Sequence, residues 1–184
     1  MPNLSDGWNQ PDYEQDAPLP ADSLPAFQGW QRNIGAPILG YVQKNYGQGA
    51  KVSITSAYRP VAANTAAGGA AHSQHEAIGG CCAVDFTIYA DAGYRITNLK
   101  PVFDWIRLTS GLPVDELIWE HVMVQQHGVW VTAGHDILHA SYVVGMPRRI
   151  AKEGESSNLV PYTSWPFTVP TVVPPALESA VNEG

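Results

Sequence analysis

The stretch from Ser53 to Ile88, SITSAYRPVAANTAAGGAAHSQHEAIGGCCAVDFTI, constrains the fold more than any other part of the chain. It starts within Lys51–Tyr58, an alternating, β-branched run that reads as a strand. Pro60 opens a short Ala-rich helix through Ala67, and Gly68-Gly69 end it. After a loop, Cys82–Tyr89 is a second strand. His75 sits at the end of the loop and Asp85 inside the second strand. A His and an Asp delivered to one spot by a loop and a strand are two ligands of a zinc site. Open chemistry there needs a third protein ligand and one free position.

The remaining chain supplies helices first and strands later. Asp22 or Ser23 caps a helix with Pro25 in its first turn. Phe27, Trp30, Ile34, Ile38 and Tyr41 follow at spacings of three and four, one helical face, with Pro37 expected to kink or split it before Tyr46-Gly47. Leu99–Leu108 is an amphipathic helix with Val102, Trp105, Ile106 and Leu108 inward, stopped near Gly111. Val114–Val124 and Val129–Thr132 read as strands around a polar QQHG turn, and Ile137–Val144 as the last strand. This order predicts an α+β domain, a small antiparallel sheet with helices on one face, over residues 25–150.

Two arms flank that domain. Residues 1–24 carry five acids, no Lys or Arg, and four prolines, and should be extended, with Trp8 and Tyr13 as anchors. Residues 151–184 are Pro-punctuated yet hold Tyr162, Trp165 and Phe167, too apolar for a freely solvated linker. The first arm is expected to be solvated or partner-bound and the second to wrap its own domain or lie on another subunit, and holding neighbouring subunits of an assembly is the sharper expectation for both. The net charge of −7, with no Lys/Arg cluster, excludes a nucleic-acid partner. No apolar run is long enough to span a bilayer, and the first residues lack a secretory pattern. The expected place of synthesis is a cytoplasm. Cys81 and Cys82 are adjacent, and a disulfide between them would be strained, so reduced buried thiols are expected.

His139 is the best third ligand, because it lies in the alternating run ILHASY and projects from one face of a strand. His75, Asp85 and His139 then leave one open position, where zinc lowers the pKa of a water to roughly 7. A carboxylate must take the water's proton and pass it on. Glu120, at the end of ELIWE, is the first candidate, Asp136 the second and Glu76 a third. Arg59 follows the first strand and can hold a substrate carboxylate or an oxyanion, or else pair with Asp85 or Glu120. Ser73 can bond the substrate, orient the loop or cap a turn.

The whole pattern resembles the zinc D-alanyl-D-alanine carboxypeptidase family, which shares its fold with the hedgehog signalling domain and includes bacterial cell-wall peptidases and phage endolysins. Ser56, Tyr58 and Arg59 match its S-x-Y-R element, and Asn64 with Gly68-Gly69-Ala70 its second. Ser73, His75, Ala83 and Asp85 match S-x-H-x-x-G-x-A-x-D, and the segments LIWE and LHASY resemble its late strands. The chain departs from the pattern by three residues inserted within EAIGGCCAV, which leave His75 and Asp85 ten apart. A loop absorbs such an insertion at small entropic cost. The resemblance implies a zinc peptidase acting on a D-alanine-containing bond of peptidoglycan stem peptides. It also implies Ser73, Arg59 and Tyr58 as substrate-side residues, and a phage particle or lysate as one setting. The competing expectation is a structural tail or virion component whose peptidase-like domain has reduced or no activity.

Overall fold

The computed structural model describes residues 8–15, 17–68, 73–125 and 128–144. The expected C-terminal arm, residues 151–184, lies outside them, as do Gln126 and His127 of the expected turn. Five strands form one antiparallel sheet: β1 Lys51–Ser56, β2 Cys81–Tyr89, β3 Arg95–Ile96, β4 Glu116–Gln125 and β5 Gly128–Val143. Their order is β1-β2-β5-β4, with the short β3 added to β2. The helices are α1 Gln10–Tyr13, α2 Leu24–Trp30, α3 Ala36–Tyr46, α4 Val61–Ala66 and α5 Lys100–Asp104. α2 packs on β2 and β5, α3 on β1, and α5 on β4, so this is the expected α+β sheet with its helical layer.

The core forms where alternation points the apolar residues of β2, Cys82, Val84, Phe86 and Ile88, at the helices. Trp30 is fully buried among Trp8, Tyr13 and Phe86, with ring centroids 5.9, 6.4 and 6.1 Å away. Its indole N–H donates to the Ala140 carbonyl at 2.9 Å, which ties the helix to β5. α2 also approaches β5 through Gly29, where a Cβ would fall 2.3 Å from the Tyr142 ring. Only glycine permits that contact.

α2 and α3 run on through a π-helical stretch, Gln31–Gly35. Pro37 has no N–H to give and would crowd the preceding turn, and the wider turn before it accommodates both. The helical path therefore continues past Pro37 to Tyr46 through the π-helical stretch. A second π-helical stretch, Trp105–Ser110, follows α5 and ends at Gly111 in the left-handed region. Its wider turn shifts the phase of the buried face. Leu108, expected inward, is 40 % exposed, while Phe103 and Arg107 are buried. Trp105 is half-buried and stacks on Tyr41.

Two other expectations need correction. The segments Val129–Thr132 and Ile137–Val144 belong to one strand, β5. Opposite β4 it carries extra residues, since Ile118 pairs with His139 but Glu120 with His135 and Val122 with Val131. Gly134-His135-Asp136 looked like a break in sequence, but here the strand bulges without ending. The expected extended arm is, from Trp8 to Tyr13, a docked helical turn, with Asn9 N–H bonded to Asp12 Oδ2 at 2.6 Å. It lies along β1, an edge strand whose carbonyls need partners. Trp8 Nε1–H donates to Val52 O at 3.2 Å and Gln15 Nε2–H to Ile54 O at 2.9 Å.

Candidate metal centre

β2 and β5 pair so that Asp85 stands directly opposite His139. Both occupy the face that alternates away from the apolar side chains of β2. His75 reaches them from a single 3-10 turn, Gln74–Glu76, whose start Ser73 caps by accepting the His75 N–H at 3.3 Å. The turn ends at Ala77 in the left-handed region, φ 55°, and a second turn, Ile78–Gly80, leads into β2. These two turns take up the inserted residues, so the ten-residue spacing still brings His75 to Asp85.

The three side chains are buried, at 4, 6 and 7 % exposure for His75, Asp85 and His139. One ligand atom from each lies within 4.8 Å of the others. His75 Nε2 is 3.2 Å from His139 Nδ1 and 3.3 Å from Asp85 Oδ1, and His139 Nδ1 is 2.8 Å from Asp85 Oδ1. A tetrahedral zinc site with bonds of 2.0–2.1 Å sets its ligand atoms about 3.3 Å apart. His75 Nδ1–H donates to the Ala57 carbonyl at 2.6 Å, which leaves the Nε2 lone pair turned toward the other two. Donor types, spacing and tautomer all fit a metal ion.

The electrostatics follow from this convergence. Burial alone would raise the Asp85 carboxyl, but hydrogen bonds and charge from His139 and His75 hold it well below the usual carboxylate range. Burial disfavours a charged His139, yet Asp85 and Glu116 outweigh it and push its pKa up to about 9. Arg59 Nη2–H donates to Asp85 Oδ2 at 2.8 Å, so Oδ1 is the oxygen turned toward the histidines. Arg59 Nε–H donates to Ser56 Oγ at 2.8 Å, and its backbone N–H to the His75 carbonyl at 3.0 Å. One residue thus fastens both the strand ligand and the loop ligand. Cys81 and Cys82 are free thiols, and burial pushes both upward.

The other expected site residues have surroundings of their own. Tyr58 is half-buried against the core, with its backbone N–H on the Tyr13 carbonyl at 3.3 Å. Glu76 is buried and receives the Asn64 amide at 3.0 Å, a bond that anchors the His75 turn to α4. Glu120 is half-buried in the bulged part of β4 with φ 52°, an unusual conformation for a residue with a side chain. Asp136 is not brought to the trio. Its side chain is 84 % exposed and pairs with Arg95 at 3.2 Å. An odd separation of three along a strand tends to turn two side chains to opposite faces.

Glu116 was passed over in the sequence, yet its Oε1 lies 3.3 Å from His139 Nε2. Strand alternation was the signal available, because Glu116 and Glu120 are four apart on a strand and share a face unless a bulge intervenes.

The family model Peptidase M15 matches residues 21–102, a span that includes His75 and Asp85. No curated protein and no solved structure matches the chain. His139 and Glu116 lie beyond the matched span, and their place beside Asp85 rests on the β-sheet register, while Glu120, also beyond it, pairs with His135. Over residues 21–102 the chain is therefore similar to the peptidase M15 family.

Proposed function

We propose that the protein is a zinc-dependent peptidase that hydrolyses a D-alanine-containing bond of peptidoglycan stem peptides, either borne on a phage particle or released at lysis. The observation that carries this reading is the His75–Asp85–His139 convergence in a chain whose residues 21–102 match the Peptidase M15 family model. These three residues would hold the metal. When bound, zinc supplies Lewis acidity that activates water and polarises a carbonyl near neutral pH.

The chain's own residues do the rest. Arg59 holds Asp85 in one orientation, and Ser73 and Glu76 fix the turn that carries His75. Glu120 is the general base, accepting a proton from the attacking water and returning it to the leaving amine. Its positive φ and bulged strand support that role, because bulges next to active sites re-aim side chains. Tyr58, next to Arg59, lines the substrate side.

The test is metal content and cleavage together. Purified protein should hold about one zinc per chain. It should release D-alanine or split a D-alanine cross-link in synthetic stem peptides, and a chelator should stop it. Absence of both metal and cleavage would remove the proposal. Zinc without cleavage of any stem peptide would favour a metal-stabilised structural component.

A further inference from the structure

We propose that Glu116 is a positioning residue that holds His139 in the tautomer and orientation a metal requires. This inference rests on the reading of the trio as a metal site. An imidazole that offers Nδ1 to a metal carries its proton on Nε2, and such an N–H needs an acceptor when buried. His139 Nδ1 is the nitrogen that faces Asp85 and His75. Its Nε2 points the other way, is buried, and has no aligned hydrogen-bond partner. Glu116 Oε1 is 3.3 Å from it, at a side chain only 16 % exposed, so a small rotation of the carboxylate completes the bond.

The sheet places Glu116 there for identifiable reasons. Leu117 pairs with Ala140 and Ile118 with His139, so Glu116 comes opposite Ser141, two positions along β5 from His139 and on the same face. Its backbone N–H donates to Ser141 Oγ at 2.9 Å, and the Asp115 N–H to the Ser141 carbonyl at 3.1 Å. Ser141 is fully buried, so this end of β4 is pinned to β5. A diagonal pair of this kind is about 7–8 Å apart at Cα, within reach of a long side chain. A glutamate spans that gap, and an aspartate falls short by one methylene.

That difference in reach gives the test. Glu116→Gln keeps both length and an acceptor oxygen, Glu116→Asp keeps the charge and loses reach, and Glu116→Ala loses both. Zinc affinity is measured by competition with a chromophoric chelator, and the His139 ring by nitrogen-15 spectra of histidine-labelled protein. Outer partners of ligating histidines typically carry 10–100-fold in metal affinity, so Glu116→Ala should bind zinc about that much more weakly. Its Nε2–H signal should shift or exchange away. Glu116→Gln should recover most of the affinity and keep that signal, and Glu116→Asp should resemble Glu116→Ala.

Wild-type affinity and an unchanged His139 spectrum in Glu116→Ala would overturn the inference. So would an Asp variant that restores what Gln does not, since charge rather than reach would then be at work. A wild-type protein that takes up no zinc would instead overturn the proposed function, and this inference with it.

Discussion

The two faces of β2 differ in what they bury. One presents Cys82, Val84, Phe86 and Ile88 to an aromatic cluster around Trp30. The other presents Asp85 to two histidines and an arginine. Both faces are buried, and they are held in different ways. The apolar face gains from area removed from water, which is forgiving of direction. The polar face depends on each charge and donor having its partner, which is not forgiving. Substitutions on the two faces should therefore fail in distinguishable ways.

The largest effect belongs to the apolar face. Trp30→Ala removes a fully buried indole and its bond to the Ala140 carbonyl, next to His139 in β5. A loss of about 3–5 kcal/mol is expected, as for other large-to-small aromatic changes, and zinc binding should go with it. Thermal unfolding and metal content of the same sample check this. Retained zinc in a strongly destabilised protein would show that the two faces are uncoupled.

On the polar face the expected order reverses, with metal lost first and fold kept. Asp85→Asn, His75→Ala and His139→Ala should each weaken zinc binding by at least about 100-fold, above the range for outer partners. Far-ultraviolet dichroism should stay that of the parent. Chelating the wild-type metal should mimic them, lowering the melting temperature because a ligand that binds only the folded state stabilises it. If Asp85→Asn kept stoichiometric zinc, Asp85 would not be a ligand, and Arg59 would be its structural partner alone.

Glu120→Gln should change neither fold nor metal and still reduce turnover by about 10²–10⁴-fold, the usual worth of a general base. Asp136→Asn should leave turnover nearly unchanged, because that carboxylate is exposed and paired with Arg95. The reverse result would return the base to Asp136 and require β5 to rearrange on substrate binding. Stem-peptide turnover with matched zinc content measures both.

These contrasts also explain what could be read in advance. Alternation around His139 is a local pattern that sets it on one face of a strand, while its facing Asp85 depends on the pairing of β2 with β5. The convergence of His75 with them was harder to foresee, because ten residues of loop carry no periodic signal. It depends on Ala77 taking a left-handed conformation, which alanine composition does not announce. Leu108 was misplaced because a π-helical turn shifts the phase on which helical spacing relies. Glu116 was missed because its role exists only in the pairing of β4 with β5. The acidic start of the chain read as extended with Trp8 and Tyr13 as anchors, and both do dock on the core, but through a helical turn that acids and prolines did not announce.

The smallest effect separates two readings of Ser73. As a substrate contact, it would matter to the Michaelis constant and hardly to the free protein. As a cap, it would matter to the His75 turn whether or not substrate is present. The structure shows its hydroxyl accepting the His75 N–H at 3.3 Å, a long bond at the start of a turn of only three residues. Losing a cap costs about 0.5–2 kcal/mol in regular helices, and so long a bond belongs at the low end. Ser73→Ala should therefore lower stability by about 0.5 kcal/mol. Zinc affinity should weaken a few-fold, because His75 is no longer held at its first backbone donor. Ser73→Asp, which restores a capping acceptor, should recover both. A Michaelis constant that rises in Ser73→Ala while zinc affinity and melting temperature stay at wild-type values would assign the hydroxyl to the substrate instead. The loop face of the site would then be a recognition surface as well as a support.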